Sequence, residues 1–124
     1  MLQAENHSIE IDGGTLDFIA FGSGEKALVM LPGLGDGIKT VKNAARSFAL
    51  LYRTFAKAYR VYVFSRRNDL PACFSIRDMA CDQARVMMAL GIGNAHILGV
   101  SQGGMIALQL AAEYPALVDK LVLA

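Results

Sequence analysis

Histidine is nearly missing from this chain: there are two in 124 residues, His7 and His96. Cysteine is equally scarce. Cys73 and Cys81 stand eight residues apart, a spacing that fits no zinc-ligand or redox pattern. Two spare thiols of this kind are expected to be reduced and unpaired, which points to a cytoplasmic protein with no metal and no cofactor. No apolar run approaches the length of a membrane span. The opening residues, MLQAENHSIE, carry neither the basic region nor the apolar region of a signal peptide. Charge is also in short supply: 12 Lys and Arg against 11 Asp and Glu leave a net charge of +1. Nothing in that balance recommends nucleic acid or an anionic membrane surface as a partner.

What the chain has in quantity is apolar residues, 54% of the total. That composition suits an α/β domain whose parallel strands are covered on both faces. Its length allows one domain with a real core and leaves no room for two. His7 to Asp12 alternates in hydrophobicity and meets Gly13-Gly14, after which Thr15 to Phe21 resumes an extended pattern. The two read as an N-terminal hairpin. Ala27 to Leu31 (ALVML) is a short, fully apolar run and therefore a central strand. The glycine-rich loop Pro32 to Gly37 follows it. A helix is expected over about Lys39 to Ala58, with Val41, Ala44, Ala45, Phe48, Leu51, Tyr52 and Phe55 on one stripe.

Arg60 to Phe64 (RVYVF) is the next strand, and Ser65 to Phe74 reads as a loop around Asn68, Asp69 and Pro71. Arg60, Arg66 and Arg67 then form a small solvated basic patch. Ser75-Ile76-Arg77-Asp78 has the form of a capping box, with Asp in place of Glu. Its helix is expected to reach about Leu90 and to bury Met79, Ala80, Val86, Met87 and Leu90. Met79, Met87, Met88 and Met105 are read together as core filling. A last strand begins at Lys120 (KLVLA). From Ala27 onward strand and helix alternate, each helix is long enough for a crossover, and the strands should be parallel with right-handed connections.

The stretch that organises the rest is His96 to Pro115, HILGVSQGGMIALQLAAEYP. It runs from an apolar strand through Gly99-Val100-Ser101-Gln102-Gly103 into an apolar helix that stops before Pro115. A strand that becomes a helix through G-x-S-x-G is the nucleophile-elbow pattern. The turn forces the serine backbone into a strained conformation and lifts its hydroxyl clear of the sheet. The pentapeptide alone is a weak signal; the strand before it and the helix after it make it specific. A serine nucleophile needs a base, an acid to orient the base, and donors for the developing oxyanion. One donor is the backbone N–H of Gln102, at the start of the helix, where free amides and the helix dipole favour negative charge. The other is expected from the loop after ALVML.

Leu31-Pro32-Gly33-Leu34-Gly35, the GVSQGG elbow and the Tyr114-Pro115…Val118…Leu121-Val122-Leu123 ending resemble the α/β-hydrolase superfamily, in its small esterase and lipase-like branch. The resemblance covers nearly the whole chain in the family's order. It implies a mostly parallel sheet with an N-terminal hairpin, residues 1–124 forming the N-terminal portion of one such domain, cut after the strand that follows the elbow helix. It implies a serine hydrolase for carboxylic esters or related acyl compounds, with Ser101 as nucleophile and the Leu34 and Gln102 amides as the oxyanion hole. Pro32-Gly33 stands where the family has His-Gly, and Arg66-Arg67-Asn68 where it has an Arg-Gly turn.

The base is not among these residues. His96 lies five residues before Ser101 on one strand, about 16 Å away at the rise of a strand, and so at the opposite end of the sheet. His7 lies in the first strand. The family order of Ser, then Asp or Glu, then His places both partners after Ala124. Asp36 and Asp69 fall in loops on the elbow's side of the sheet and read as turn-formers and solvated carboxylates. Asp119 falls at the start of the last strand, the wrong end. The expected partners are a small-molecule acyl substrate and, to cover the apolar edge strand KLVLA, either the C-terminal half or a second copy of the chain. The other reading of the chain is a catalytically inactive fragment, or a binding or assembly module on the same fold.

Overall fold

The structure, a computed structural model, describes residues 3–33 and 45–124. Six strands form one sheet: β1 (Ala4–Ile11), β2 (Gly14–Phe21), β3 (Lys26–Leu31), β4 (Tyr59–Arg67), β5 (Ala95–Gly99) and β6 (Val118–Leu123). Among the described residues three helices accompany them: α1 (Ala45–Leu51), α2 (Ile76–Ala89) and α3 (Gln102–Glu113), with short 3-10 turns at Arg53–Phe55 and Pro115–Leu117. The strand order is β1-β2-β4-β3-β5-β6. β1 and β2 form the expected hairpin, β2 runs antiparallel to β4, and the pairs β3/β4, β3/β5 and β5/β6 are parallel.

That order places the crevice where chemistry can occur. The chain leaves β3 toward β4 on one side, whereas β5 lies on the other side of β3 and continues outward to β6. The strand order reverses at β3, and in open α/β sheets ligands bind beyond the C-terminal ends of the strands at such a point. The glycine-rich loop follows β3, and Ser101 follows β5.

The central strands are buried on both faces, whereas the edge strands β1 and β6 are largely exposed. Leu16, Phe18, Val29, Leu31, Phe64 and Ile97 pack on one face with Met79, Val86 and Met87 of α2 and Ile106, Ala107 and Leu110 of α3. Ile19, Phe21, Leu28, Met30, Val61 and Val63 pack on the other with Ala45 and Ala49 of α1. α1 is also tied to β1, since the Ala45 N–H donates to Asn6 Oδ1 at 3.0 Å. α2 opens on the expected capping box. Ser75 accepts from the Asp78 N–H, and Asp78 accepts from the Ser75 N–H, both at 3.0 Å. That contact holds the Asp78 carboxyl below its ordinary range.

Several expectations are corrected. The helix read over Lys39 to Ala58 ends at Leu51 and gives way to a 3-10 turn; Val41 and Ala44 lie outside the described residues. Leu51, the last residue of α1, is exposed, and so is Phe55, which lies on the 3-10 turn where a period of three replaces that of the helix. β4 runs through Ser65-Arg66-Arg67, which had read as loop. The basic patch dissolves with it: Arg66 is 3% exposed, the Arg67 side chain is buried on Asp82, and Arg60 pairs with Glu5. Of the four methionines read as core, Met79 and Met87 are buried, whereas Met88 and Met105 are more than half exposed. Leu90 is only partly buried, at the helix C-cap. β6 starts at Val118, earlier than its apolar residues suggested, because Val118 pairs with Ala95 of β5; the Lys26 ammonium meets Asp119 at 2.8 Å beside it.

Candidate active site

Two serines stand immediately before helices in this molecule, and they differ in a way that identifies one of them. Ser75 caps α2 in the ordinary manner, with extended backbone (φ −82°, ψ 168°) and a side chain that accepts a helix N–H. Ser101 precedes α3 with φ 55° and ψ −118°, and its side chain makes no capping bond. The left-handed region is costly for a residue with a Cβ, so surrounding structure must impose it. Here the Val100 N–H donates to the Leu31 carbonyl, the Ser101 N–H to the Ala124 carbonyl, both at 3.0 Å, and the Gly104 N–H to the Ser101 carbonyl at 2.9 Å. Backbone bonds to β3, to the end of β6 and to α3 thus hold the turn from three sides. The hydroxyl is left exposed and uncommitted.

This strain makes a measurable forecast. Glycine is at ease at these angles, so Ser101→Gly should be more stable than Ser101→Ala, by about 1 kcal/mol once the greater freedom of glycine in the unfolded chain is subtracted. Denaturant midpoints of the two variants decide it. Equal stability, or a more stable alanine, would mean that the turn carries no strain.

The glycines of the motif answer to contact with backbone. A Cβ at Gly103 would overlap the Leu31 carbonyl oxygen, and one at Gly99 would come within 2.5 Å of the Gly103 carbonyl oxygen. α3 therefore sits directly on the ends of β3 and β5 with no side chain between. The loop after β3 reaches the same point: a Cβ at Gly33 would lie 3.4 Å from the Ser101 Cβ. Gln102 is the first residue of α3, where geometry denies its N–H an acceptor within the helix. Leu34, the other expected oxyanion donor, lies outside the described residues, as does Asp36.

Arg66 is the residue that sequence reading misplaced. From the end of β4 its Nη2 donates to the Pro32 carbonyl and its Nε donates to Gln102 Oε1 at 3.2 Å. One buried guanidinium thus spans the crevice from β4 across the end of β3 to the start of α3. The available signal was negative: no Gly or Pro separates Phe64 from Arg67, so nothing required the strand to stop.

Neither histidine reaches Ser101. His96 is at the N-terminal end of β5, where Nδ1 lies 3.7 Å from Asp119 Oδ2. Lys26 stands on the same carboxylate and keeps Asp119 below its ordinary range. His7 stacks on Phe18 with ring centroids 4.8 Å apart. Its strand lies four positions from β5 in the sheet, about 19 Å at the usual strand spacing. Asp69 is exposed just past the end of β4, on the elbow's side. Cys73 and Cys81 are free. Among the described residues no three His, Cys, Asp or Glu side chains gather to hold a metal ion, and no helix is long and apolar enough to cross a membrane.

A strand-turn-helix with a strained serine, two enforced glycines and a glycine loop against its Cβ is a specific arrangement. The sequence family described as the alpha/beta hydrolase fold matches residues 26–124. The chain belongs to the α/β-hydrolase fold family. It is 35% identical over 122 residues to the serine hydrolase BPHL of Homo sapiens, covering 93% of this chain and 40% of that protein. It is 36% identical over 108 residues to a 2-hydroxy-6-oxononadienedioate/2-hydroxy-6-oxononatrienedioate hydrolase of a Pseudomonas species, covering 82% of this chain and 37% of that protein. An α/β-hydrolase fold protein from Chitinophaga pinensis superposes with a TM-score of 0.77 at 20% identity, covering 98% of this chain and 44% of its own. The chain therefore spans well under half the length of the α/β-hydrolase relatives it matches. Its six-stranded mixed sheet, with the hairpin at one edge, is the fold expected from the sequence.

Proposed function

We propose that the protein is a serine hydrolase for carboxylic esters or related acyl substrates, with Ser101 as its nucleophile. The observation that carries this reading is the Ser101 backbone at φ 55° with a hydroxyl that caps nothing, at the head of a twelve-residue helix. In this mechanism Ser101 Oγ attacks the acyl carbonyl, and the amides of Gln102 and Leu34 receive the charge that develops on the carbonyl oxygen. The helix dipole of α3 favours the same charge. Water then releases the acyl-enzyme. The similarity to proteins named as hydrolases supports the reaction class. We assign the acid and the histidine to chain outside residues 1–124, since His7 and His96 both lie far from Ser101. The substrate is a small acyl compound, with no nucleic acid or membrane as partner. The free cysteines fit a reducing compartment, and we place the protein in the cytoplasm.

A fluorophosphonate probe tests the reading. Labelling of the full-length protein should be abolished by Ser101→Ala and should survive replacement of Ser75, the ordinary cap. Labelling that persists in Ser101→Ala would defeat the proposal. Residues 1–124 in isolation are expected to show no turnover, because both histidines they contain lie away from the nucleophile; turnover by the isolated chain would overturn the assignment of the base. The apolar side chains exposed on the edge strand β6, Val122 and Leu123, are proposed to be covered by the rest of the domain or by a second copy.

A further inference from the structure

We infer that Met105 is a specificity-determining residue, the side chain against which an apolar acyl chain of the substrate lies; the inference deepens the nucleophile reading of Ser101 and rests on it. Met105 is 57% exposed, on a helix whose buried face is already formed by Ile106, Ala107 and Leu110. Its N–H donates to the Ser101 carbonyl at 3.3 Å, the bond that closes the first full turn of α3. Four residues of helix place it about 6 Å from the nucleophile along the axis. A helical side chain leans over the turn N-terminal to its own Cα, and for Met105 that is the turn opening on Ser101. Val100, 40% exposed, approaches from the strand side: the point where a Cβ of Gly33 would sit is 3.4 Å from the Ser101 Cβ and 3.8 Å from Val100 Cγ1. Two accessible apolar side chains thus stand within a turn of the nucleophile, and neither carries a charge or a strong hydrogen-bonding group.

The occupant of this surface follows from its distance to Ser101. A segment of protein packed on Met105 as core would lie within one side chain of the Ser101 hydroxyl and close it to an acyl carbonyl. Leu108, 52% exposed and two turns from Ser101, is free of that constraint and can be covered by protein. Met105 therefore faces the space in which the substrate sits. The acyl part of an ester stays bonded to Ser101 Oγ until water releases it, whereas the alcohol departs in the first step, so the acyl chain keeps Met105 within reach throughout. A charged or strongly polar chain would lose water here against side chains that cannot replace its hydrogen bonds. An apolar chain gains from the same contact. Methionine suits the task, since its unbranched thioether adapts to chains of different shape.

The test uses the full-length protein with p-nitrophenyl acetate, butyrate and hexanoate, which differ only in the acyl chain. The parent protein is expected to prefer hexanoate. Met105→Ala should lower the hexanoate-to-acetate ratio of kcat/KM by about 10-fold, with the acetate value itself changed less than about threefold. Met105→Leu, nearly equal in volume, should keep the parent ratio within about threefold. Alanine is a strong helix former at an exposed position, so the fold should survive. If Met105→Ala does not fold, Met105→Gln, similar in length with a polar end, decides in its place and should lower the ratio as well. A parent ratio near one would overturn the assignment. So would a ratio that Met105→Ala leaves unchanged, whatever its Tm, since Met105 would then be covered by protein. Ser101→Ala separates the two claims: if it keeps full turnover the nucleophile reading fails, and if it is inactive while the Met105 variants keep the parent ratio only the role of Met105 fails.

Discussion

Replacing Asp82 by alanine is expected to cost about 3–5 kcal/mol of stability, among the largest single losses this chain can suffer. Asp82 sits in the middle of α2 with a side chain 2% exposed, and it receives both arms of Arg67, Nε at 2.9 Å and Nη2 at 2.7 Å. The hydrogen bonds it donates to Asp82 hold the Arg67 guanidinium above its ordinary range. Arg67 is confined on its other sides. Its Cζ lies 5.4 Å from the centre of the Phe74 ring, and a Cβ at Gly14 would come within 2.7 Å of its Nη1. With the carboxylate gone, the cation has no buried acid left: Asp12, the other carboxylate that acts on it, is 79% exposed. The expense is thus the stranded charge, not the intrinsic worth of the pair. A double replacement, Arg67→Met with Asp82→Leu, should recover most of the loss, to within about 1–2 kcal/mol of the parent protein. Urea unfolding of the two variants checks both statements. An Asp82→Ala loss below about 1 kcal/mol would show that Arg67 is resolvated at little cost.

That pair marks the boundary between what the sequence discloses and what it hides. Local chemistry was readable. The alternation in β1 and β2, the apolar β3, the Ser75–Asp78 capping box and the glycines around Ser101 each stand in the structure where their own physics places them. The family's mixed sheet was readable too, because G-x-S-x-G together with its flanking strand and helix is more specific than any of its parts. Contacts between distant segments were not. Ser65-Arg66-Arg67 looks polar and loop-like, yet it continues a strand because Arg66 finds Pro32 and Gln102 while Arg67 finds Asp82, acceptors 15 to 36 residues away. Composition gives no hint of such partners. The start of β6 at Val118 likewise lies in a distant contact, its pairing with Ala95 of β5. Helical spacing placed Met88 and Met105 on apolar rows but could not say which row meets the sheet. Leu34, the other residue expected to donate to an oxyanion, lies outside the described residues.

Gly103→Ala should be a severely damaging one-methyl change at the candidate site. The added carbon would overlap the Leu31 carbonyl oxygen and lie 2.7 Å from both the Leu31 carbonyl carbon and the Pro32 carbonyl oxygen. These are backbone atoms at the end of a central strand, and they cannot turn aside as a flexible side chain could. α3 must therefore lift away from β3, and the expected cost is about 3 kcal/mol or more. The neighbouring residue supplies the control. A Cβ at Gly104 would meet nothing closer than 3.4 Å, so Gly104→Ala should be neutral or gain up to about 1 kcal/mol from better helix propensity. Two adjacent glycines in one helix turn thus predict opposite signs, which thermal unfolding of the pair can read directly. The functional effect should be larger than the stability loss implies. Lifting α3 moves the Gln102 amide relative to the loop after β3, and a displacement of about 1 Å between groups that must act together costs on the order of 100-fold in rate. Surviving folded Gly103→Ala should therefore react with a fluorophosphonate about two orders of magnitude more slowly than Gly104→Ala. Equal labelling rates would mean that the close seat of α3 on β3 serves packing and leaves the reactivity of Ser101 untouched.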